Sequence, residues 1–384
     1  MTAPIVILGT GLAGYNLARE IRKLDKTTHL VLVSRDDAPF YSKPMLSNAL
    51  AGGKTAQSLV MKPATKMAEE LGATILARRS VEGIDASARR VTLDGGETLD
   101  YRDLVLALGA DPIRLPLAGD GAADVLSVND LDDFARFTAR LEGVRRIAIL
   151  GAGLIGCEFA NDLLARDIEP TVLDLSAWPL GRLLPEAAGQ VFQARLEAAG
   201  VNFRMGVAAS GVERTDDGYR LTLNDGSSLD ADLVLSAVGL RARTALAAAA
   251  GVKINRGVVV DRRLASSDPH IHAVGDCAEV EGLSLPFVMP IMQQVRALAQ
   301  TLTGKPTDVV YPPMPVLVKT PAIPTVVAPP APGEAGEWHI AQAEALESLE
   351  AHFIAPDGSL KGFALLGTAT ARKQGLAAQL PAQL

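Results

Sequence analysis

A glycine-rich pattern occurs twice in this chain, and it constrains the fold more than any other feature. Each copy follows a short apolar run, at residues 4–8 and 147–150, and opens a helical pattern. A second apolar run follows each helical pattern, at His29–Val33 and Pro170–Leu175, so both copies predict strand, tight turn, helix and strand. The two copies are Gly9-Thr10-Gly11-Leu12-Ala13-Gly14 and Gly151-Ala152-Gly153-Leu154-Ile155-Gly156.

This glycine spacing is typical of a dinucleotide-binding βαβ unit. The first glycine permits the turn, the second lets a pyrophosphate approach the backbone, and the third lets helix and strand pack closely. A glycine-rich turn that binds nothing explains a single match better than it explains two matches in full βαβ context. Two dinucleotides in one chain favour hydride transfer from a nicotinamide to a flavin.

Composition and charge argue against several other classes of protein. The formal net charge of −7 argues against nucleic acid as a partner. The apolar stretches are strand-sized, far below the roughly 20 residues that span a bilayer, and the first strand begins by Ile5, which leaves no room for a leader. We therefore expect a cytoplasmic protein without membrane insertion. The two cysteines, Cys157 and Cys277, form no C-x-x-C pair, and the five histidines show no metal-binding spacing, so we expect neither a disulfide framework nor a metal.

The end of the second strand in each unit indicates which dinucleotide binds where. In the second unit, Asp174 follows Gly156 by 18 residues, where a carboxylate bonds an adenosine ribose 2′-hydroxyl and repels a 2′-phosphate. This favours NADH over NADPH, although a strand-end aspartate can also be a turn former. In the first unit the matching residues are Ser34, Arg35 and Asp36, where a ribose contact comes from Ser34 or Asp36.

Three longer segments resemble the pyridine nucleotide-disulfide reductase superfamily. Residues 267–276 (SDPHIHAVGD) are similar to its second FAD motif, in which the aspartate, here Asp276, contacts the flavin ribityl chain. Residues 104–110 and 233–239 resemble its two crossings between nucleotide domains. The resemblance implies FAD in the first fold and NADH in the second, with further cofactor contacts at Ser34, Arg35, Val81, Ala107, Gly109 and Gly239.

The resemblance also implies the fold class: α/β and glutathione-reductase-like. It consists of two Rossmann-like three-layer ββα nucleotide-binding domains plus a small α+β C-terminal domain. Hairpin patterns at Arg89–Leu93 and Tyr219–Leu223 give one β-meander to each nucleotide fold, and proline density changes the character of the chain from Pro312 onward. We predict an FAD-binding domain at 1–110 and 241–311, an NADH-binding domain at 111–240 and a C-terminal interface domain at 312–384.

The segment Phe40–Ser47 lacks the redox cysteines that disulfide reductases and NADH peroxidases carry there, so electrons are expected to leave the flavin directly. It resembles the Y-x-[RK]-P-x-L-S element of flavoprotein reductases that serve ferredoxins and rubredoxins. The resemblance implies that Lys43 lies near the flavin N5 edge and that Pro44 packs close to the ring. A solvated loop lysine is the simpler alternative.

Four stretches narrow the resemblance to rubredoxin reductases: residues 153–162, 257–262, 276–282 and 316–321. It implies that Glu158 contacts the nicotinamide carboxamide, that Lys319 lies near the flavin, and that a helix beginning at Val288 points its N-terminus at the flavin. For Glu158, a carboxylate in the first helical turn that suits the helix dipole is an equally good explanation. We expect Lys43 and Glu158 to be the catalytic residues.

The expected function is therefore transfer of electrons from NADH through FAD to rubredoxin, a small acidic iron protein, in support of alkane hydroxylation or oxygen defence. The alternatives are an NADH-dependent ferredoxin reductase of an oxygenase system and an NADH oxidase. A flavin-binding signalling protein of the apoptosis-inducing type would be expected to show a basic surface or long insertions, and neither is visible. No long apolar stripe predicts a stable dimer, so we expect a monomer or a weak homodimer.

Overall fold

The computed structural model describes residues 3–344 and 346–384. Within them, strands and helices alternate along most of the chain. The helices are α1 (Leu12–Leu24), α2 (Ala56–Leu59), α3 (Ala64–Leu71), α4 (Leu131–Ala139), α5 (Leu154–Leu163), α6 (Glu186–Ala198), α7 (Ala245–Ala249), α8 (Val288–Leu302) and α9 (Lys373–Ala377). The 3-10 turns used below are Lys43–Asn48, Gly275–Cys277 and Thr368–Arg372.

The strands fall into two nucleotide folds and a C-terminal sheet. In order along the chain they are β1 (Ile5–Leu8), β2 (Leu30–Val33), β3 (Thr74–Leu76), β4 (Val81–Asp85), β5 (Arg90–Leu93), β6 (Thr98–Asp100), β7 (Asp103–Leu106), β8 (Ala110–Pro112), β9 (Arg146–Leu150), β10 (Glu169–Asp174), β11 (Asn202–Met205), β12 (Ala209–Thr215), β13 (Gly218–Leu223), β14 (Ser228–Ala231), β15 (Leu233–Ser236), β16 (Leu240–Ala242), β17 (Val258–Val260), β18 (Ile271–Ala273), β19 (Ala278–Val280), β20 (Val316–Val318), β21 (Thr325–Ala328), β22 (Glu337–Glu344), β23 (Ser348–Ile354) and β24 (Leu360–Gly367).

The first nucleotide fold is built on a five-stranded parallel sheet in the order β18-β7-β1-β2-β3. Strands β1 and β2 are buried along their whole length, as expected for a parallel sheet covered on both faces. Helices α1 and α8 pack against one another, and the antiparallel meander β4-β5-β6 adds a third layer to the same core. The result is the predicted three-layer ββα arrangement.

The second nucleotide fold repeats this plan with a four-stranded parallel sheet in the order β11-β10-β9-β15. Its meander is β12-β13-β14, which packs through Val212 and Leu221 against the sheet residues Ala148 and Val234. The short antiparallel pair β8-β16 accompanies the two crossings between the folds. Strand β8 follows β7 of the first sheet and β16 follows β15 of the second sheet. Their pairing therefore places the two crossings side by side.

The C-terminal part forms a five-stranded antiparallel sheet in the order β20-β21-β24-β23-β22, followed by the 3-10 turn Thr368–Arg372 and α9. Prolines bracket β21, since Pro324 precedes it and Pro329 follows it, where the loss of an N–H costs no ladder bond. From Trp338 onward, the sequence predicts two strand-like runs that flank Pro356-Asp357-Gly358, whereas the structure has three strands there, of which β22 is the edge strand. That strand is mostly exposed, and its alternation of polar and apolar residues is interrupted at Ile340-Ala341, where its pairing with β23 shifts register.

One apolar cluster joins three parts of the molecule. It contains Leu46 and Leu50 from the segment after Lys43, Phe159 from α5, and Val318 and Leu366 from the C-terminal sheet. The C-terminal sheet therefore packs against both the second nucleotide fold and the segment that carries Lys43. None of the described helices is long and apolar enough to cross a membrane.

Candidate functional site

The two glycine turns have nearly the same steric design. Gly9 and Gly151 both have positive φ values, 115° and 106°, which side chains rarely adopt. A Cβ on Gly9 would overlap the Ala107 carbonyl oxygen, and one on Gly151 would approach that of Ala237 to 2.7 Å. A Cβ on Gly14 or Gly156 would overlap the carbonyl oxygen of the first glycine in its own turn. Each turn thus needs glycine to close against the neighbouring strand.

The middle glycine of each turn faces open space. A Cβ at Gly11 or Gly153 would meet no other heavy atom within 4 Å. These glycines are also the N-caps of α1 and α5, and no side chain caps either helix. The N–H groups of the first turn are therefore available to an anion, which is the geometry that holds a pyrophosphate.

The strand ends beside the two turns carry different chemistry. In the first fold, Thr10 Oγ1 donates to Ser34 Oγ (2.8 Å), and Ser34 donates to Asp36 Oδ1 (2.6 Å). Ser34 is buried, whereas Arg35 is exposed. The Asp36 carboxylate also accepts the Ala38 N–H at 2.8 Å. A relay of two hydroxyls therefore separates this carboxylate from the glycine turn.

In the second fold the carboxylate contacts the turn directly. Asp174 Oδ2 accepts the Ala152 N–H at 2.7 Å, and its Oδ1 accepts the Ser176 N–H at 2.8 Å. Asp174 is half-buried at the last position of β10, as predicted. A carboxylate has about four acceptor positions, so two remain for ribose hydroxyls.

Lys43 and Asp276 form a partly buried pair of opposite charges in the first fold. Burial lowers the pKa of the Lys43 ammonium, and the charge of Asp276 opposes that shift. Burial likewise raises the pKa of the Asp276 carboxyl, with Lys43 and Arg243 opposing it. Burial is the larger cause for both groups, so each would gain from a polar ligand that replaces lost water. This burial does not fit the alternative explanation that Lys43 is a solvated loop lysine.

Lys43 also contacts the region between the two folds. Its Nζ donates to Asn129 Oδ1 at 2.7 Å, and Asn129 Nδ2 donates to the Ala110 carbonyl at 2.9 Å. Ala110 begins β8, so the lysine is linked to one of the crossings. Nearby, Arg243 donates to the Leu108 carbonyl at 2.7 Å and pairs with Asp111. The ammonium is therefore held in place from the second fold.

Glu158 lies at a junction of three segments. It is 3% exposed, and its Oε2 forms an ion pair with Lys319 Nζ at 2.8 Å and accepts a hydrogen bond from the Ser47 hydroxyl. Its Oε1 accepts the Lys319 N–H at 3.0 Å. The Lys319 ammonium also donates to Ser47 Oγ at 3.0 Å and to the Pro44 carbonyl. Predicted residues Pro44, Glu158 and Lys319 are thus brought together.

One alternative explanation of Glu158 is wrong. The helix begins at Leu154, so Glu158 is its fifth residue and lies beyond the first turn, where the helix dipole favours a carboxylate. The pairing with Lys319 and Ser47 explains its burial instead, because a buried charge needs both a partner and hydrogen bonds.

The remaining predicted residues are distributed around these groups. Val81 opens β4, two residues after Arg79, whose N–H donates to the Ser34 carbonyl at 2.8 Å. The carbonyl of Gly109 accepts from Arg243 N (3.0 Å) and that of Gly239 from Ile113 N (3.0 Å), so both glycines belong to the crossings. Ile155 and Val288 are 43% and 38% exposed at the first turns of α5 and α8. A helix does begin at Val288, as predicted.

The two cysteines are buried, and burial raises both thiol pKa values, that of Cys277 to about 11. Neither is therefore available as a thiolate. His270 and His272 both flank Asp103, at 3.7 and 3.8 Å, and His272 packs in the interior of the first fold. Among the described residues, no group of three or more His, Cys, Asp or Glu side chains could hold a metal.

Sequence reasoning missed several residues of the junction. Ser47 was part of the motif around Lys43, but nothing in that motif predicted its bond to Glu158. Asp162 follows Glu158 by four residues in a mostly apolar helix, a spacing that places both carboxylates on one face. No local sequence pattern indicated a role for Asn129 or Arg243, because their hydrogen-bond partners are distant along the chain.

Comparison with protein families identifies the architecture. Residues 3–301 match the family model described as pyridine nucleotide-disulphide oxidoreductase. The chain belongs to the pyridine nucleotide-disulphide oxidoreductase family. Residues 308–380 match a second model, described as rubredoxin binding C-terminal domain. Members of this oxidoreductase family carry out redox chemistry with a nicotinamide, which accords with the paired nucleotide folds.

Two oxidoreductases are similar in sequence to this chain over nearly its full length. A rubredoxin-NAD(+) reductase of Alcanivorax borkumensis is 48% identical over 99% of both chains. A rubredoxin-NAD(+) reductase of Acinetobacter baylyi is 47% identical over 97% of this chain and 96% of its own. Among solved structures, a ferredoxin reductase from Rhodopseudomonas palustris has a TM-score of 0.89 and 27% identity, covering 99% of this chain and 95% of its own. The predicted resemblance to rubredoxin reductases and the predicted fold class are confirmed.

Proposed function

We propose that this protein oxidises NADH and passes the electrons singly, through bound FAD, to a rubredoxin. The observation that carries the proposal is the combination of full-length similarity to rubredoxin-NAD(+) reductases with a rubredoxin-binding match at residues 308–380. Lys319, directly after β20, pairs with Glu158, so the region matched for rubredoxin reaches the junction that we propose as part of the redox site.

FAD is assigned to the first fold. The Gly9–Gly14 turn would hold the pyrophosphate, Ser34 with Asp36 would face the adenosine ribose, and Asp276 would accept from the ribityl chain. The open space at Gly11 and the partly buried charges of Lys43 and Asp276 fit such a group. When bound, flavin accepts a hydride and releases single electrons, which nicotinamide does not readily do.

NADH is assigned to the second fold. The Gly151–Gly156 turn would hold its pyrophosphate, and the free acceptor positions of Asp174 would receive the ribose hydroxyls while repelling a 2′-phosphate. Glu158 lies about one turn along α5 from the open N-terminus, on the side that faces Pro44 and Ser47. Its carboxylate, which the Lys319 ammonium holds in position, would orient the polar end of the nicotinamide.

Electrons would leave without a thiol intermediate. The chain has two cysteines, and both are buried with raised thiol pKa values. In this assignment the Lys43 ammonium would lie on the flavin side of the site, where it would favour reduced flavin. We also propose a cytoplasmic location, because free cysteines are usual in a reducing compartment.

We propose the domain limits predicted above, because the adjacent crossings β8 and β16 begin at those limits. The functional proposal is tested with the purified, flavin-loaded protein. Under anaerobic conditions, NADH should bleach the flavin at least ~10-fold faster than NADPH does. In steady state, rubredoxin should be reduced faster than a 2Fe-2S ferredoxin, and oxygen should be consumed slowest. Faster turnover with the ferredoxin, or with oxygen, would contradict the proposal.

A further inference from the structure

Helix α5 carries three polar side chains that bind backbone groups outside its own fold. Glu158, Asn161 and Asp162 have the spacing i, i+3 and i+4, which places them on one face of the helix. They face the segment that follows Lys43 and the segment that follows β20. The rest of the helix is mostly apolar and buried, so this polar face stands out from its surroundings.

Asp162 holds the segment on the flavin side. Its Oδ2 accepts the Leu50 N–H at 2.7 Å, and its Oδ1 accepts the Ala51 N–H at 3.0 Å. Asp162 is 4% exposed, and burial raises its pKa against the two N–H groups that favour the ionised form. Both carboxylate oxygens are needed, because the two donors point at different oxygens.

Asn161 holds the C-terminal segment in a similar way. Its Oδ1 accepts the Ala322 N–H at 3.1 Å, three residues after Lys319, whose own N–H donates to Glu158. Four backbone N–H groups from two other parts of the chain therefore end on three side chains of a single helix.

The same helix begins at the glycine turn of the second fold. Asp162 is eight residues after Leu154, so the bonded face lies ~12 Å along the helix axis from its open N-terminus. A regular helix moves as a unit over this distance. The position of the Lys43 segment is consequently fixed relative to the turn proposed to bind NADH.

We propose that Asp162 and Asn161 are positioning residues for hydride transfer. Asp162 aligns the flavin-side segment with the NADH-binding helix, and Asn161 aligns the C-terminal segment with the same helix. Neither side chain is assigned a contact with either dinucleotide. This inference rests on the proposed function, because it assumes that the two folds hold NADH and FAD.

The first test uses Asp162→Asn in the holoenzyme, with Asp167→Asn as a matched control. The amide accepts only one of the two N–H groups and turns its own N–H₂ toward the other. Asp167 is exposed at the end of the helix, with φ of 54°, a conformation that asparagine tolerates. In stopped-flow experiments, Asp162→Asn should slow flavin reduction at saturating NADH by about tenfold, while the NADH dissociation constant changes less than about threefold.

Two further readouts separate positioning from general destabilisation. The long-wavelength charge-transfer absorbance, which reports stacking of nicotinamide on flavin, should weaken in Asp162→Asn and stay unchanged in the control. Hydrogen exchange should accelerate in the peptide containing Leu50 and Ala51. An unchanged reduction rate together with an unchanged charge-transfer band would overturn the proposal for Asp162.

A second pair keeps the proposal testable if Asp162→Asn does not fold. Asn161→Asp retains the acceptor for the Ala322 N–H, whereas Asn161→Leu removes it at similar volume. The rate of flavin reduction by NADH and the charge-transfer absorbance should both be retained in Asn161→Asp. Both should fall several-fold in Asn161→Leu. Equal behaviour of the two variants would overturn the role of Asn161. All these measurements use NADH alone, so failure to reduce rubredoxin would count against the proposed function without touching this inference.

Discussion

The two glycine turns of this molecule are sterically alike but differ in the groups at the neighbouring strand end. In the second fold, Asp174 accepts directly from the turn at Ala152. In the first fold, the Thr10 hydroxyl of the turn is linked to Asp36 only through the Ser34 hydroxyl. We propose from this comparison that the glycines decide whether a dinucleotide binds and that the strand-end residue decides which one.

The largest expected effect comes from the first glycine of each turn. Gly9→Ala should weaken FAD binding by at least ~100-fold, because its Cβ would overlap Ala107 and its φ is unfavourable. Gly151→Ala should leave FAD bound and weaken NADH binding by a similar factor. Flavin content and titration with NADH measure the two effects.

Gly53→Ala is the control for this pair. Gly53 also has a positive φ, 60°, but a Cβ there would meet nothing within 4 Å, so both dinucleotides should bind normally. Loss of flavin from Gly151→Ala but not from Gly9→Ala would reverse the assignment of the two folds.

The next largest effect is expected for Asp276→Asn in the first fold. Loss of a charged acceptor should weaken FAD binding by ~10- to 100-fold. The flavin-free variant should nevertheless melt at a higher temperature than the flavin-free parent at pH 7. The folded-state pKa of Asp276 is raised by burial, so its ionised form disfavours folding once the pH exceeds the unfolded-state value.

This gain in thermal stability should disappear as the pH falls below ~4, where the carboxyl is protonated in both states. Differential scanning calorimetry of the flavin-free proteins between pH 3.5 and ~8 measures it. A variant that is less stable than its parent at pH 7 would show that Asp276 is stabilising when ionised.

A smaller effect is expected at Asp174, which sharpens the difference between the strand ends. Asp174→Ala should lower the NADH-over-NADPH preference by ~10-fold and weaken NADH itself, since the Ala152 N–H loses its acceptor. Asp216→Ala, an exposed aspartate of the same fold, is the control. An unchanged ratio of kcat/KM for the two nucleotides would remove Asp174 from the account.

The smallest effect is expected for Lys43→Met, at the contact between the folds. Removing this cation should lower the flavin midpoint potential by roughly 30 mV and slow reduction by NADH by about fivefold. The hydrogen bond to Asn129 is lost at the same time. Spectroelectrochemistry measures the potential, and a parental value for both quantities would argue against the assigned place of Lys43.

Local patterns in the sequence predicted much of the fold. Both βαβ units were predictable because apolar runs and glycine spacing are signals within about 30 residues. The strand end at Asp174 was predicted for the same reason, whereas the helix at Val288 was implied by the resemblance to rubredoxin reductases. Strand β22 was not separated from β23 because its alternating pattern breaks at Ile340-Ala341, where its pairing with β23 shifts register.

The candidate site was predicted less completely. Lys43, Asp276 and Glu158 came from resemblance, but their partners did not. Ser47 and Glu158 are 111 residues apart, and Lys319 is a further 161 residues away from Glu158. Such contacts depend on how three parts of the chain pack together, and no periodic pattern in the sequence indicates that packing.

The most direct test of the account mixes anaerobically prereduced holoenzyme with oxidised acceptors in a stopped-flow instrument. Rubredoxin should reoxidise the flavin faster than a 2Fe-2S ferredoxin at every concentration. Reoxidation that is fastest with the ferredoxin would contradict the central claim that electrons leave this flavoprotein to a rubredoxin.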